Sequence, residues 1–181
     1  IFISPGNHDP YLNNSIYANF NWNNNVIIFN SNIKKYSYED VDIYGYGFTD
    51  FYCENSIINN LKIENKNKIN ILVMHANLDQ ISDKKYNEVK TKDLDKLEFD
   101  YIALGHIHKR NFDDSMQENI IYPGSTLALG FDEQGKHGII EGEINNKDLK
   151  LKFIPLDEKE FNIINLDVTE IISKEELIEK I

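Results

Sequence analysis

The stretch YIALGHIH (residues 101–108) decides how the chain is read. Its first four residues carry no charge and form a run of the length that a buried strand needs. Gly105 breaks the run, and His106 and His108 follow with one residue between them. Two further junctions have the same form. INILVM (69–74) runs straight into His75, and Ile1-Phe2-Ile3 leads through Pro5 and Gly6 to Asn7, His8 and Asp9. Four of the five histidines thus sit just past an expected strand, where α/β proteins place ligand and metal sites. One histidine after a strand is ordinary. Three such junctions in 181 residues point to a shared site.

Working outward, apolar runs bounded by polar turns predict strands at 26–29, 42–46, 69–74, 101–104, 119–122, 138–144, 149–155 and 162–168. Asn145-Asn146-Lys147-Asp148 reads as a hairpin turn. One helix is expected over 92–97, with Thr91 as N-cap and Asp93 and Asp95 early in it. A second is expected over 174–181, opened by a Ser173–Glu176 capping box. Strands separated by helical or long irregular connections predict an α/β sandwich, with β-sheets flanked by helices. No histidine occurs beyond residue 144, where a strand–turn–strand and an acidic helix follow. That shift places a boundary between 152 and 161, dividing the chain into 1–152 and 153–181. The second piece is too small to fold by itself.

A hydrophobic content of 41% supports a real core, and the longest apolar runs are too short for a bilayer. Cys53 is the only cysteine, which excludes an internal disulfide and a cysteine-based metal cluster. No charged-then-apolar leader precedes the first strand, so a cytoplasmic protein without membrane attachment is expected. The net charge is −11 and Arg110 is the only arginine, which argues against a broad basic surface for nucleic acid. Metal ions would have to supply local positive charge. The run NWNNN (21–25) is compositional bias.

Imidazole, amide carbonyl and carboxylate without sulfur suit Mn, Fe or Zn. Two such ions a few ångströms apart hydrolyse phosphoesters by activating water and neutralising charge in the transition state. On a regular strand His106 and His108 would point the same way. A loop tightened by Gly105 would let them diverge towards neighbouring ions.

These motifs carry a resemblance. GNHD (6–9), MHAN (74–77) and GHIH (105–108), in that order, resemble the later motifs of calcineurin-like metallophosphoesterases. FDYIALGHIHK (99–109), YPGS (122–125) and GFDEQGKHG (130–138) resemble the SbcD/Mre11-type DNA repair exonucleases. FIPLDEKEFNIINLDV (153–168), followed by SKEELIEKI (173–181), is similar to the start of that branch's α+β capping domain. The resemblance implies a partial metallophosphoesterase sandwich over 1–152 and the beginning of a capping domain over 153–181. It implies that Asn7, His75 and His106 bind the second of two divalent ions, and that His108 reaches the first. His8 would protonate the leaving oxygen, with Asp9 orienting it. Mn is the first expectation for the metal, with Fe, Zn or Mg as the others. Lys109 and Arg110, beside GHIH, would contact DNA phosphates, as would Lys34-Lys35 and Lys84-Lys85 if they are more than solvated surface. Partners would be DNA, an SbcC/Rad50-like ATPase and a second copy of the protein. His137 matches no ligand position and reads as structural or surface.

The family also has an Asp-x-His and a Gly-Asp motif, and neither occurs in residues 1–181. The first ion would then keep only His108, and the second only three neutral donors. The 181-residue chain alone is therefore expected to bind metal weakly, to show no substantial nuclease activity and to leave a sheet edge exposed. Two rival readings stand beside the nuclease: a phosphoesterase acting on nucleotides or small phosphodiesters, and a truncated, non-catalytic product.

Overall fold

In the computed structural model, residues 1–79, 85–115 and 118–180 are described. The strands in chain order are β1 (Phe2–Ile3), β2 (Ile27–Ile28), β3 (Lys34–Ser37), β4 (Val41–Tyr46), β5 (Ile69–His75), β6 (Asn77–Leu78), β7 (Glu88–Val89), β8 (Tyr101–Gly105), β9 (Ile120–Ile121), β10 (Gly138–Asn145) and β11 (Asp148–Pro155). The described helices are short: α1 (Ile16–Asn19), α2 (Thr91–Asp95) and α3 (Lys174–Lys180), with a 3₁₀ turn at Ile57–Asn60. None is long and apolar enough to cross a membrane.

A five-stranded sheet in the order β3-β4-β5-β8-β9 forms the centre; β3 joins antiparallel and the other pairs are parallel. Period-two burial explains why these strands assemble. Asn70, Leu72 and Met74 in β5, and Ile102 and Leu104 in β8, are buried on one face. There they join Tyr44, Ala76, Leu94, Phe99 and Tyr122. Fully burying an aliphatic side chain of this size contributes about 1.5–3 kcal/mol relative to leaving it exposed. Because β5 and β8 are parallel, both chains leave the sheet at the same edge, with His75 in register beside Gly105. The sheet brings two distant histidine motifs together there.

The first loop reaches the same edge by a separate route. β1 pairs with β2 in parallel, Phe2 beside Ile27 and Ile3 beside Ile28. The completely buried Phe29, just past β2, packs over β4 at Gly45, where an added Cβ would stand 2.0 Å from its ring. The Ser4 hydroxyl donates to the Tyr46 carbonyl, and Phe48 N–H donates to Pro5 O at 2.9 Å. These bonds anchor residues 4–9 at the end of β4.

Most predicted strands fall within two residues of those observed. The predicted turn joins β10 to β11 through Asn146 and Lys147, both at positive φ (48° and 69°), as a two-residue hairpin requires. Residues 162–168 form no strand. Ile163 and Ile164 are 61% and 73% exposed, so apolar residues alone made no ladder where no neighbouring strand pairs with them. Thr91 is the first helical residue rather than the cap, which is Lys90; its hydroxyl and N–H both donate to Asp79. At α3, Glu176 N–H donates to Ser173 Oγ as expected, but the Glu176 carboxylate accepts from Ile172 N–H, one residue before the cap. Ile181, the last residue of the predicted helix, lies outside the described residues. The expected flanking layers of helix are reduced to the three short segments, and the fold is a mixed α/β structure around a parallel-rich sheet. β11 continues through residue 152 to Pro155, with Phe153 buried against Phe112 and Ile121.

Candidate metal centre

Three donor atoms converge at the sheet edge. His75 Nε2 lies 2.8 Å from Asn7 Oδ1 and 3.1 Å from His106 Nδ1, and the last two are 3.4 Å apart. Two ligands at right angles, each about 2.1 Å from one ion, would be separated by roughly 3.0 Å. The triangle therefore has the dimensions of three ligands on one face of a single divalent cation. Among the described residues no group of three or more His, Cys, Asp or Glu could hold an ion. The amide oxygen of Asn7 is thus the necessary third donor.

The backbone explains the convergence. Gly105 remains in β8, so the tight turn expected there falls one residue later, on His106 itself, at φ 113°. A non-glycine residue in that region costs about 1–3 kcal/mol and persists where its surroundings hold it. The Tyr86 ring lies against His106, with centroids 5.1 Å apart. Gly6 and Gly105 make room for His75: a Cβ on Gly6 would stand 2.5 Å from its ring, and one on Gly105 3.1 Å from its Nδ1. Phe48 closes another side, edge-on at 5.2 Å. Burial, with the neighbouring His106, pushes His75 down to about 4; burial and His108 also lower His106. A neutral imidazole keeps a lone pair for a cation. At neutral pH His75 is ready to ligate.

The remaining candidates divide. The His108 Nδ1 hydrogen-bonds the Glu133 carboxylate, an arrangement that leaves Nε2 to accept a cation. The backbone N–H of Leu129, and then His108 itself, hold Glu133 below its usual range. His8 is exposed and acts on both His75 and His106 as a nearby charge. Asp9 accepts from Gly6 N–H at 2.9 Å and from the Tyr17 hydroxyl, contacts that hold the loop's shape. These bonds go to the loop and to Tyr17 rather than to the His8 ring. Lys109 is exposed beside His108, in the wall of a cleft of about 740 Å³. The Arg110 guanidinium lies 3.9 Å over the Phe153 ring. Lys35 is paired with Glu64 and Asp42, Lys85 lies 5.8 Å over the Tyr52 ring, and Lys84 lies outside the described residues. His137 is buried rather than exposed, hydrogen-bonded through Nδ1 to Ser125 Oγ at 2.7 Å.

Four supporting residues escaped the sequence reading as functional. Tyr122 O–H donates to Ala76 O at 2.7 Å and accepts from Leu78 N–H at 3.0 Å, fixing the chain just after His75. Asn87 Nδ2 donates to His75 O at 3.0 Å. Asn111 binds the β9 backbone, and Glu133 orients His108. Asn87 and Tyr122 lie 12 and 47 residues from His75, and no local pattern signals such reach.

Residues 1–110 match the calcineurin-like phosphoesterase family. The chain belongs to that family. Such phosphoesterases use divalent metal ions, and the Asn7–His75–His106 triangle is a donor set that fits one. The chain is also 37% identical over 78 residues to the uncharacterized metallophosphoesterase YhaO of Bacillus subtilis. The match covers 43% of this chain and 19% of that protein.

Proposed function

We propose that this phosphoesterase is a metal-dependent phosphodiester hydrolase of the SbcD/Mre11-like branch, cleaving DNA in repair with a two-metal site. The convergence of Asn7 Oδ1, His75 Nε2 and His106 Nδ1 at the ends of parallel strands carries the reading. Divalent ions, Mn first among them, would when bound supply positive charge at the phosphoryl group and lower the pKa of an attacking water. Asn7, His75 and His106 would hold the second ion, and His108 would offer Nε2 to the first, with Glu133 fixing its tautomer. His8, exposed beside the triangle, protonates the departing oxygen. Asp9 shapes the loop that presents His8, through Gly6 and Tyr17. Lys109 meets a backbone phosphate; Arg110, resting on Phe153, holds the GHIH loop against β11 and contributes charge at its rim. Association with an SbcC/Rad50-like ATPase and with a second copy rests on the resemblance of residues 99–168 alone.

The acidic net charge and the engagement of Arg110 favour a second reading, hydrolysis of nucleotides or small phosphodiesters. The test uses the chain encoded by its complete reading frame, in Mn²⁺, with duplex DNA and bis-p-nitrophenyl phosphate as substrates. Cleavage of both is expected, with His75→Ala lowering each rate by about a hundredfold or more. Cleavage of the small ester alone would sink the nuclease reading and leave the second. Cleavage of neither would sink both.

A further inference from the structure

A ladder of aromatic rings leads from the metal centre to the surface, and the proposed chemistry does not use it. The Tyr86 ring sits 5.1 Å from the His106 imidazole, and the Tyr52 ring 6.1 Å from Tyr86, each pair tilted by 34°. The outer end is open: Tyr52 is 54% exposed and its neighbour Phe51 49%. Lys85 Nζ lies 5.8 Å over Tyr52. Single exposed aromatics need no explanation. A rigid row of them ending on a metal ligand does.

The row is held by backbone. Tyr86 and Cys53 form a parallel bridge, with Cys53 N–H donating to Lys85 O at 2.6 Å and Asn87 N–H to Cys53 O at 2.7 Å. Asn77 N–H, next to the His75 junction, donates to Tyr86 O at 3.1 Å. The rings are therefore positioned before any ligand arrives, which lowers the ordering cost of binding. Packing accounts for Tyr86 against His106. It does not account for Tyr52, most of whose surface faces water. Stacking on a tyrosine face also adds affinity without positive charge, of which this chain of net charge −11 has little.

We propose that Tyr52, with Tyr86 behind it, is a stacking platform for a nucleobase attached to the phosphate that the metal centre holds. The inference takes its phosphate from the phosphoesterase reading, and it names the other half of the substrate. The base lies on Tyr52, and Tyr86 spans the step to His106.

The test is equilibrium binding to the complete chain with Mn²⁺ present, using ligands that turnover does not consume: AMP and ribose 5-phosphate, which hold no phosphodiester bond, and an oligothymidylate with phosphorothioate linkages. AMP is expected to bind about tenfold or more tightly than ribose 5-phosphate. Tyr52→Phe should keep that preference and Tyr52→Ala should abolish it, with unchanged circular dichroism. A short single-stranded oligothymidylate distinguishes the source of the base. If it binds tighter than AMP in a Tyr52-dependent way, the platform serves a nucleic acid strand; if it binds no tighter, the platform serves free nucleotides. Unmeasurable AMP binding, equal affinity for AMP and ribose 5-phosphate, or a preference that survives Tyr52→Ala would overturn the proposal. A base preference in a protein that hydrolyses nothing in Mn²⁺ would sink the hydrolase reading and leave the platform standing.

Discussion

Gly6 and Gly105 shape the candidate metal centre by leaving space. The His75 ring occupies the volume that a side chain at either position would need, 2.5 Å from a Cβ on Gly6. Gly6→Ala is therefore expected to push the imidazole out of the triangle while the core, which it does not touch, stays folded. Mn²⁺ affinity should fall about 10–100-fold, measured by titration, with circular dichroism unchanged. Full affinity in the variant would mean that His75 does not ligate where it stands. That Asn7, His75 and His106 meet was readable in sequence, because each residue follows a short apolar run that ends in a loop. The way His106 is aimed was not. Its φ of 113° is held partly by a ring 20 residues away, and His108 is oriented by a glutamate 25 residues downstream.

At the level of elements, two parallel strands of unequal length, β5 and β8, set the centre, and Tyr122 fastens the segment that leaves β5. Its buried hydroxyl serves Ala76 O and Leu78 N–H at once, and burial pushes it up to about 12, so it stays protonated and able to donate. Tyr122→Phe removes both bonds and leaves a buried carbonyl and N–H without that partner. A loss of about 1–3 kcal/mol in unfolding free energy is expected from urea denaturation. A change below about 0.5 kcal/mol would show that the segment is held elsewhere. Largely apolar strands, such as 69–74 and 101–104, were legible because both of their neighbours are strands. Residues 162–168 have similar composition and no such neighbours, so they remain irregular. β3, β6 and β7 went unseen for the opposite reason: their sequences are mixed, and pairing alone makes them strands.

For the whole molecule, acid should act through His75. Its imidazole titrates near 4 when folded and near 6.5 in the unfolded chain, so the unfolded state binds the extra proton between those values. Stability is then complete above about pH 6.5 and declines as pH falls towards 4. Acidification also relieves repulsion in a chain of net charge −11, an effect of opposite sign. The difference between wild type and His75→Asn isolates the imidazole. Thermal melts in EDTA should converge at pH 4 relative to pH 7, and parallel curves would contradict the shift.

The three atoms of the triangle come from residues 7, 75 and 106, so Asn7 and His106 are 99 residues apart along the chain. Few local contacts can pre-assemble such a centre. Parallel pairing of β4, β5 and β8 must close long loops before it is rewarded, and topologies of this kind fold slowly. A ribosome must release the chain past His106 before the three donors can meet. Until then His75 and Asn7 are ordinary side chains on an incomplete sheet, with nothing to hold a cation and no means of hydrolysing a bond. Metal capture would thus be a late event in the life of the chain, and a bound ion would report that β8 has docked beside β5.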